Sequence, residues 1–256
     1  MIAFPNAKIN LGLKVLHKRP DGFHNIETIF YPVGLSDILE IIPTKDGVLS
    51  FAATGLRIPG DPKENLCLKA FHLLSSDLHL PPVKIHLHKV IPIGAGLGGG
   101  SSDGAFTIKL LNDIFSLGLS DDQMMDYARN LGSDCAFFIL NKPAFAFGKG
   151  DRFEFIDLDL SGYRIGIETP EIHINTVEAY AMIRPKSEPS EFFPILKKII
   201  SQPVKEWKDL LVNDFEHPVF NKYPELEKIK QDFYERGALY ASLSGSGSSI
   251  FGIFLL

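Results

Sequence analysis

Cysteine and tryptophan are scarce in this sequence: Cys67, Cys135 and a single tryptophan among 256 residues. Two cysteines cannot build the disulfide framework of a small secreted fold, so a reducing compartment is expected. Long apolar runs are missing too. None approaches the roughly 20 residues that a membrane helix needs, and the N-terminal MIAFPNAKINLGLKVL lacks the basic segment, apolar core and cleavage site of a secretory signal. A cytoplasmic location without a membrane partner follows as the expectation. Basic charge is not in excess either: 26 Lys and Arg against 31 Asp and Glu leave a formal charge of −5. That speaks against nucleic-acid binding, which needs a basic face to displace counterions. The local cluster Lys14, His17, Lys18 and Arg19 reads as a solvated hairpin end. Internal repeats and low-complexity linkers are absent.

What is present is an irregular mixture of strand and helix patterns. Ala7, Ile9, Leu11 and Leu13 alternate with Lys8, Asn10, Gly12 and Lys14, the period of a half-buried strand with Lys8 and Asn10 on its polar face. Arg19-Pro20-Asp21-Gly22 marks a turn, and Phe23–Tyr31 reads as the returning strand. Ile38–Ile42, Val48–Phe51 and Val83–Leu87 read as further strands. Asn65 caps a helix through Leu74 with Leu66, Ala70, Leu73 and Leu74 as its apolar stripe. A second helix follows Ser102, with Ala105, Ile108, Leu111 and Ile114 facing inward. Ser120 and Gln123 have capping-box spacing for a third helix, which Gly132 closes. Later segments read as a strand at Tyr163–Ile167, helices at Phe192–Ile200, Lys205–Leu211 and Glu225–Arg236, and strands at Leu239–Leu243 and Ile250–Leu255. This order favours an α+β fold over a regular βαβ wheel. A soft boundary near Gly148–Phe155 suggests domains 1–152 and 153–256.

The densest chemical signal is GAGLGGGSS, Gly94 to Ser102, between a strand and a helix. Five glycines in nine residues let successive N–H groups turn toward an anion, and the helix start adds its own unpaired N–H groups and partial positive charge. Ser101 and Ser102 add hydroxyls suited to phosphate or Mg²⁺. A flexible loop cap is the plainer alternative, but it leaves glycines packed against a well-patterned helix unexplained. Gly94, Gly96 and Gly99 satisfy G-x-G-x-x-G, yet no acidic residue ends a strand some 20 residues on, as a dinucleotide site requires. A Walker A loop fails as well, because Gly100 rather than lysine precedes Ser101.

Pro92-Ile93-Gly94-Ala95-Gly96-Leu97-Gly98-Gly99-Gly100-Ser101-Ser102 does resemble the central motif of the GHMP kinases, the galactose, homoserine, mevalonate and phosphomevalonate kinase superfamily. AKINLGLKVL with RPDGFHNIET, and LSGSGSSIFGIF near the end, are similar to that family's first and third motifs in the right order. The segments AKINL, DGFHNIET, GAGLGGGSSD and LGSDCAFF are most similar to the branch acting on a cytidine diphosphate-linked polyol of isoprenoid synthesis. The resemblance implies a two-domain kinase with its ATP and substrate cleft between the domains, Mg²⁺ on the ATP phosphates, and a monomer or weak homodimer. It implies Asp134 of LGSDCAFF as catalytic base and Lys8 of AKIN as catalytic lysine, with ATP phosphates along Pro92–Ser102. By the same resemblance Asn65 and Lys89 approach the adenosine, and Phe23, His24 and Tyr180 hold the cytosine. Asn10 and Thr176 contact the polyol or phosphates, and Gly245 and Gly247 let backbone approach the substrate or phosphate loop. At position 23 the family more often has tyrosine; phenylalanine keeps the stacking face and loses the hydroxyl. Family members commonly continue through another helix and strand after the third motif, so a shortened second domain is expected.

Without the resemblance, Lys8 reads as an exposed strand lysine, Asp134 as a turn residue and Phe23 and Tyr180 as packing aromatics. His86 and His88 share a strand face without a third ligand at metal spacing and read as solvated. Cys135 has no activating histidine nearby and reads as a small buried residue. Two further readings stay open: a related kinase for another alcohol such as mevalonate or homoserine, and a non-catalytic nucleotide sensor on the same fold.

Overall fold

The computed structural model describes residues 1–45, 47–183 and 192–256. The chain begins with β1 (Ile2–Ala3), β2 (Asn6–Lys18), β3 (His24–Ser36), β4 (Ile38–Pro43) and β5 (Ser50–Gly55). Then come α1 (Leu66–Leu78), β6 (Val83–Lys89), α2 (Gly99–Phe115), α3 (Asp121–Leu131) and α4 (Phe137–Leu140). The hairpin β7 (Ala144–Phe147) and β8 (Arg152–Phe155) follows, then β9 (Tyr163–Glu168), α5 (Thr176–Ala181) and α6 (Phe192–Ile200). The chain closes with α7 (Glu216–Lys222), α8 (Pro224–Glu235), β10 (Tyr240–Leu243) and β11 (Ile250–Leu255). No helix among the described residues is long and apolar enough to cross a membrane.

Two units interleave along the chain. The first comprises Met1–Ala7, Gly34–Ile93 and Gly98–Lys142, the second Lys8–Val33, Gly94–Leu97 and Pro143–Leu256. The sequence pattern suggests one cut, near residue 152. Strand pairing is why the units are not contiguous: β3 joins β7 through Thr28–Ala146, Ile29–Phe145 and Phe30–Ala144, and β7 joins β8. The N-terminal hairpin is thereby claimed by a sheet of order β2-β3-β7-β8.

The first unit is built on a sheet of order β1-β4-β6-β5, with β6 antiparallel to β4 and parallel to β5. Val83, Ile85 and Leu87 of β6 are buried, as the alternation requires. The opposite face carries His86 and His88, which share the Thr54 hydroxyl at 3.1 and 2.9 Å. Among the described residues no group of three metal-ligating side chains forms. The Asn65 side chain caps α1 by accepting from Cys67 N at 2.9 Å. The buried stripe of α1 runs through Cys67, Ala70, Phe71 and Leu74, with Leu68 beside it, so Ala70 and Leu74 belong to it as expected and Leu66 and Leu73 do not. Its i, i+3, i+4, i+7 spacing is the stronger helical match. The capping box at Ser120 and Gln123 is present. Gly132 does end α3, but in extended backbone (φ 172°, ψ 160°) that needs no glycine.

In the second unit, β10-β11-β9 forms an antiparallel sheet over a core that includes Leu13, Ile174, Phe215, Phe233 and Leu243. Two sequence expectations fail here. Lys205–Leu211 is not a helix; it is a 3₁₀ turn at Val204–Glu206 followed by a hydrogen-bonded turn in which Leu210 N and Leu211 N donate to Trp207 O, pinned by the buried Trp207, whose indole N–H donates to Gln202 O at 3.0 Å. Nor is β2 half-buried: Lys8 and Asn10 are only 3% and 1% exposed, nearly as deep as Ile9 and Leu11 opposite them. Polar residues at the strand period here face a buried polar site, not solvent.

Candidate active site

In the first unit the glycine run becomes the start of α2. Gly98 takes a left-handed conformation (φ 70°) before the helix opens at Gly99, which releases the first-turn N–H groups from intrahelical bonding and gives the helix end its positive potential. A methyl group at Gly99 would press on Ile91 and on Lys89 Nζ, whereas at Gly100 it would meet nothing within 4 Å. The Ser102 hydroxyl is buried without a hydrogen-bond partner, as is Oδ1 of the next residue, Asp103. Buried polar groups are ordinarily paired, so an unpaired hydroxyl in the first turn marks a position suited to a polar ligand atom.

Beneath this turn lies a buried ion cluster. Lys89 Nζ donates to Asp37 Oδ2 at 2.5 Å and Asp103 Oδ2 at 2.7 Å, and Asp37 Oδ1 also accepts from Ile91 N at 2.8 Å. Lys89, assigned to the adenosine by the resemblance, thus has its ammonium taken up by two carboxylates. Burial works against its charge, but Asp103 and Asp37 together hold its pKa above the ordinary value. With two carboxylates to one ammonium, burial pushes the Asp103 carboxyl up to about 8, and Asp37 adds to the effect. A carboxyl raised on folding stabilises fully below its unfolded pKa near 4 and loses that contribution as pH rises through about 8. Wild-type protein should therefore lose stability relative to Asp103→Asn across this range, by at most about 1.4 kcal/mol per pH unit. Denaturant titrations at several pH values would show parallel curves if the carboxyl ionised normally.

Asp134 is half-buried in the turn between α3 and α4. Burial pushes the thiol of its neighbour Cys135 up to about 12, so Cys135 is no nucleophile at neutral pH. A cavity of about 410 Å³ in the same unit is lined by Asn65, Thr54, Leu56, Arg57 and Pro59.

In the second unit Lys8 Nζ donates to Asn10 Oδ1 at 2.7 Å and to Gly96 O at 3.1 Å, over the Phe30 ring. Asn10 Nδ2 in turn donates to Thr28 Oγ1 at 3.1 Å, and Thr28 donates to the carbonyl of Gly12. Gly96 (φ 78°) leaves no room for a side chain, because a Cβ would run into the Ser244 carbonyl. Gly245 also packs on Gly96, while Gly247 packs on Ile174 and Leu243. Gly94 lies beside His173, where a Cβ would be 3.0 Å from its ring.

The same unit holds a cavity of about 700 Å³ lined by Phe23, His24, Lys149, Thr176, Tyr180 and Ile183, among others. The Asn175 side chain caps α5 and so presents Thr176 at its first turn. His24 and Tyr180 stack at 4.9 Å with planes 13° apart, and Tyr180 meets Phe215 edge-on at 5.0 Å. Phe23 is 53% exposed, with Lys149 Nζ 5.2 Å from its ring centre. Burial, helped by the charge of Lys18, lowers the pKa of His24, favouring a neutral ring that both donates and accepts.

Residues 65–148 match the model of the GHMP kinases N terminal domain, and residues 195–255 that of the GHMP kinases C terminal domain. The chain belongs to the GHMP kinases. This GHMP kinase is 56% identical over 255 residues to 4-diphosphocytidyl-2-C-methyl-D-erythritol kinase of Cytophaga hutchinsonii, and 52% identical over 256 residues to that of Bacteroides fragilis. Each alignment covers 99% of this chain and 92% of the relative. Among solved structures, 4-(cytidine 5'-diphospho)-2C-methyl-D-erythritol kinase superposes with a TM-score of 0.80 at 30% identity, covering 99% of this chain and 90% of the other. Methanococcus jannaschii mevalonate kinase superposes at 0.73 with 18% identity over 99% and 90%, a likeness of fold alone.

Sequence reasoning did not single out Thr28, Asp103 or Lys149, which the structure places against Asn10, Lys89 and Phe23. Thr28 lies two residues beyond Ile26 on the strand that returns to β2, so strand pairing held a usable hint. Asp103 ends the GAGLGGGSSD segment, but its contact with Lys89 is one that no local pattern reports.

Proposed function

We propose that this chain transfers the γ-phosphoryl group of ATP to the 2-hydroxyl of 4-diphosphocytidyl-2-C-methyl-D-erythritol, a step in the non-mevalonate route to isoprenoid precursors. The observation that carries the substrate assignment is the cavity where the adjacent Phe23 and His24 converge with Thr176 and Tyr180 from a distant helix. An aromatic wall beside a neutral imidazole suits a pyrimidine base, which offers π-faces for stacking and an edge for hydrogen bonds.

Within this reading Asp134 accepts the proton of the attacking hydroxyl, which is a weak nucleophile until a base takes it. Lys8 steadies charge on the transferred phosphoryl group; such transfers depend mainly on positioning and electrostatics. The N–H groups at the start of α2 hold the ATP phosphates, and the cavity beside Asn65 takes the adenosine. Mg²⁺ bound with ATP would supply neutralisation of the phosphate charge, held on the protein side by the hydroxyls of the first turn of α2. The buried, unpartnered hydroxyl of Ser102 fits a place in its coordination or on a phosphate oxygen, with Ser101 beside it. The setting we infer is the cytoplasm, with no nucleic-acid or membrane partner, as a monomer or weak homodimer.

A coupled ATP-consumption assay tests the substrate: turnover is expected with the cytidine diphosphate substrate and not with mevalonate or homoserine. Preference for either of the latter would overturn the assignment. Gly100→Val tests the phosphate loop, because its side chain enters open space in the free protein. ATP affinity should fall at least about tenfold while the melting temperature stays within a few degrees, since a β-branched residue obstructs backbone approach to phosphate. Unchanged ATP binding by calorimetry would move the phosphates elsewhere.

A further inference from the structure

Asn213 lies just before α7, is 1% exposed, and commits both polar ends of its side chain to backbone. Its Nδ2 donates to Leu243 O and Gly245 O at 2.8 Å each, and its Oδ1 accepts from Phe215 N at 2.9 Å. The residues around it grip β2. Leu13 N donates to Val212 O at 3.0 Å and Asp214 N to Leu13 O at 2.9 Å. The Asp214 carboxylate takes Val15 N at 2.9 Å and Lys14 Nζ at 2.8 Å. Glu216 reaches the other way, accepting from Leu243 N at 3.0 Å and Ser242 Oγ at 2.9 Å. The segment 213–216 thus ties the strand carrying Lys8 to the strand leading into Ser244.

Ser244 carries the connection onward. Its hydroxyl donates at 2.9 Å to Gly96 O, the carbonyl that also receives Lys8 Nζ. A lysine ammonium sits on a flexible four-carbon stem, so its placement depends on fixed acceptors. Asn10 is one, steadied by Thr28. Gly96 O is another, steadied by Ser244, whose turn Asn213 holds through the carbonyls on either side.

We infer that Asn213 is a positioning residue for Lys8, acting through the Leu243–Gly245 turn and the Gly96 carbonyl. The inference rests on the catalytic reading of Lys8. Asn213→Asp keeps the shape but replaces both N–H donors with an oxygen facing two carbonyls. The folded variant should lose about 10²-fold in kcat, the scale of a misplaced catalytic group, with KM for both substrates within about threefold of wild type.

The deciding measurement is a double-mutant cycle. If Asn213 acts through Lys8, adding Asn213→Asp to Lys8→Ala should change kcat by less than about threefold. A repeat of the full loss in that background would make Asn213 an independent structural residue and overturn the inference. Wild-type kcat in Asn213→Asp, with Lys8→Ala impaired, would overturn it as well and leave Lys8 in place. Wild-type kcat in Lys8→Ala would instead remove the reading on which the inference rests. Should Asn213→Asp fail to fold, Ser244→Ala carries the test, removing one hydroxyl from the same relay. It should show the same fall in kcat and the same coupling to Lys8→Ala, and an unchanged kcat would overturn the relay.

Discussion

Asp134→Asn is expected to lower turnover by about 10²–10⁴-fold, the range for losing general acid–base catalysis, while ATP still binds. The substitution is nearly isosteric in a half-buried turn, so the fold should tolerate it. An asparagine carboxamide keeps an oxygen for hydrogen bonding but cannot accept a proton near neutral pH, which isolates proton transfer from positioning. Single-turnover kinetics with saturating ATP would locate the loss in the chemical step. Near-wild-type turnover in a folded Asp134→Asn protein would take Asp134 out of the mechanism.

Phe23→Ala should raise the KM for the cytidine substrate by roughly 5- to 150-fold. Base–aromatic stacking is worth about 1–3 kcal/mol, and 1.4 kcal/mol is tenfold. The KM for ATP should hardly move. Phe23 is the better probe of the two expected stacking residues because it is 53% exposed; truncating it leaves the core untouched. Tyr180 also packs against Phe215, so Tyr180→Ala mixes a binding loss with a packing loss. Phe23→Tyr should be close to neutral. Equal losses for both substrates would make Phe23 a packing residue, and no loss for either would remove it from the base site.

Much of the local structure was legible in the sequence because its causes are local. The Asn65 cap, the Ser120 capping box and the β6 alternation depend on residues within one turn or one pleat, and each forms where the pattern puts it. The glycine run at the start of α2 was legible for the same reason. The burial of Lys8 and Asn10 was not, since strand alternation cannot distinguish a polar face turned to water from one turned to a buried network. The ion cluster of Lys89, Asp37 and Asp103 joins residues 52 and 14 positions apart, and no periodicity reports such a meeting. In Lys205–Leu211 the apolar spacing suited a helix, but the burial of Trp207 against a 3₁₀ turn prevailed.

The interleaving of the two units has a consequence for the order in which the protein is made. A growing chain leaves the ribosome N-terminus first, and a unit folds once its own strands are available. The first unit ends at Lys142, so its core can close while the rest of the chain is still being synthesised. The hairpin of β2 and β3 emerges earlier still, yet β3 must wait for β7, and the Ser244 hydroxyl that meets Gly96 arrives later than β7. The Gly96 carbonyl that accepts from Lys8 therefore gains its second donor only after β10 has been made. Cleavage of the chain near residue 152 would not release an N-terminal domain; it would strand that hairpin without β8 and without the core that packs on it.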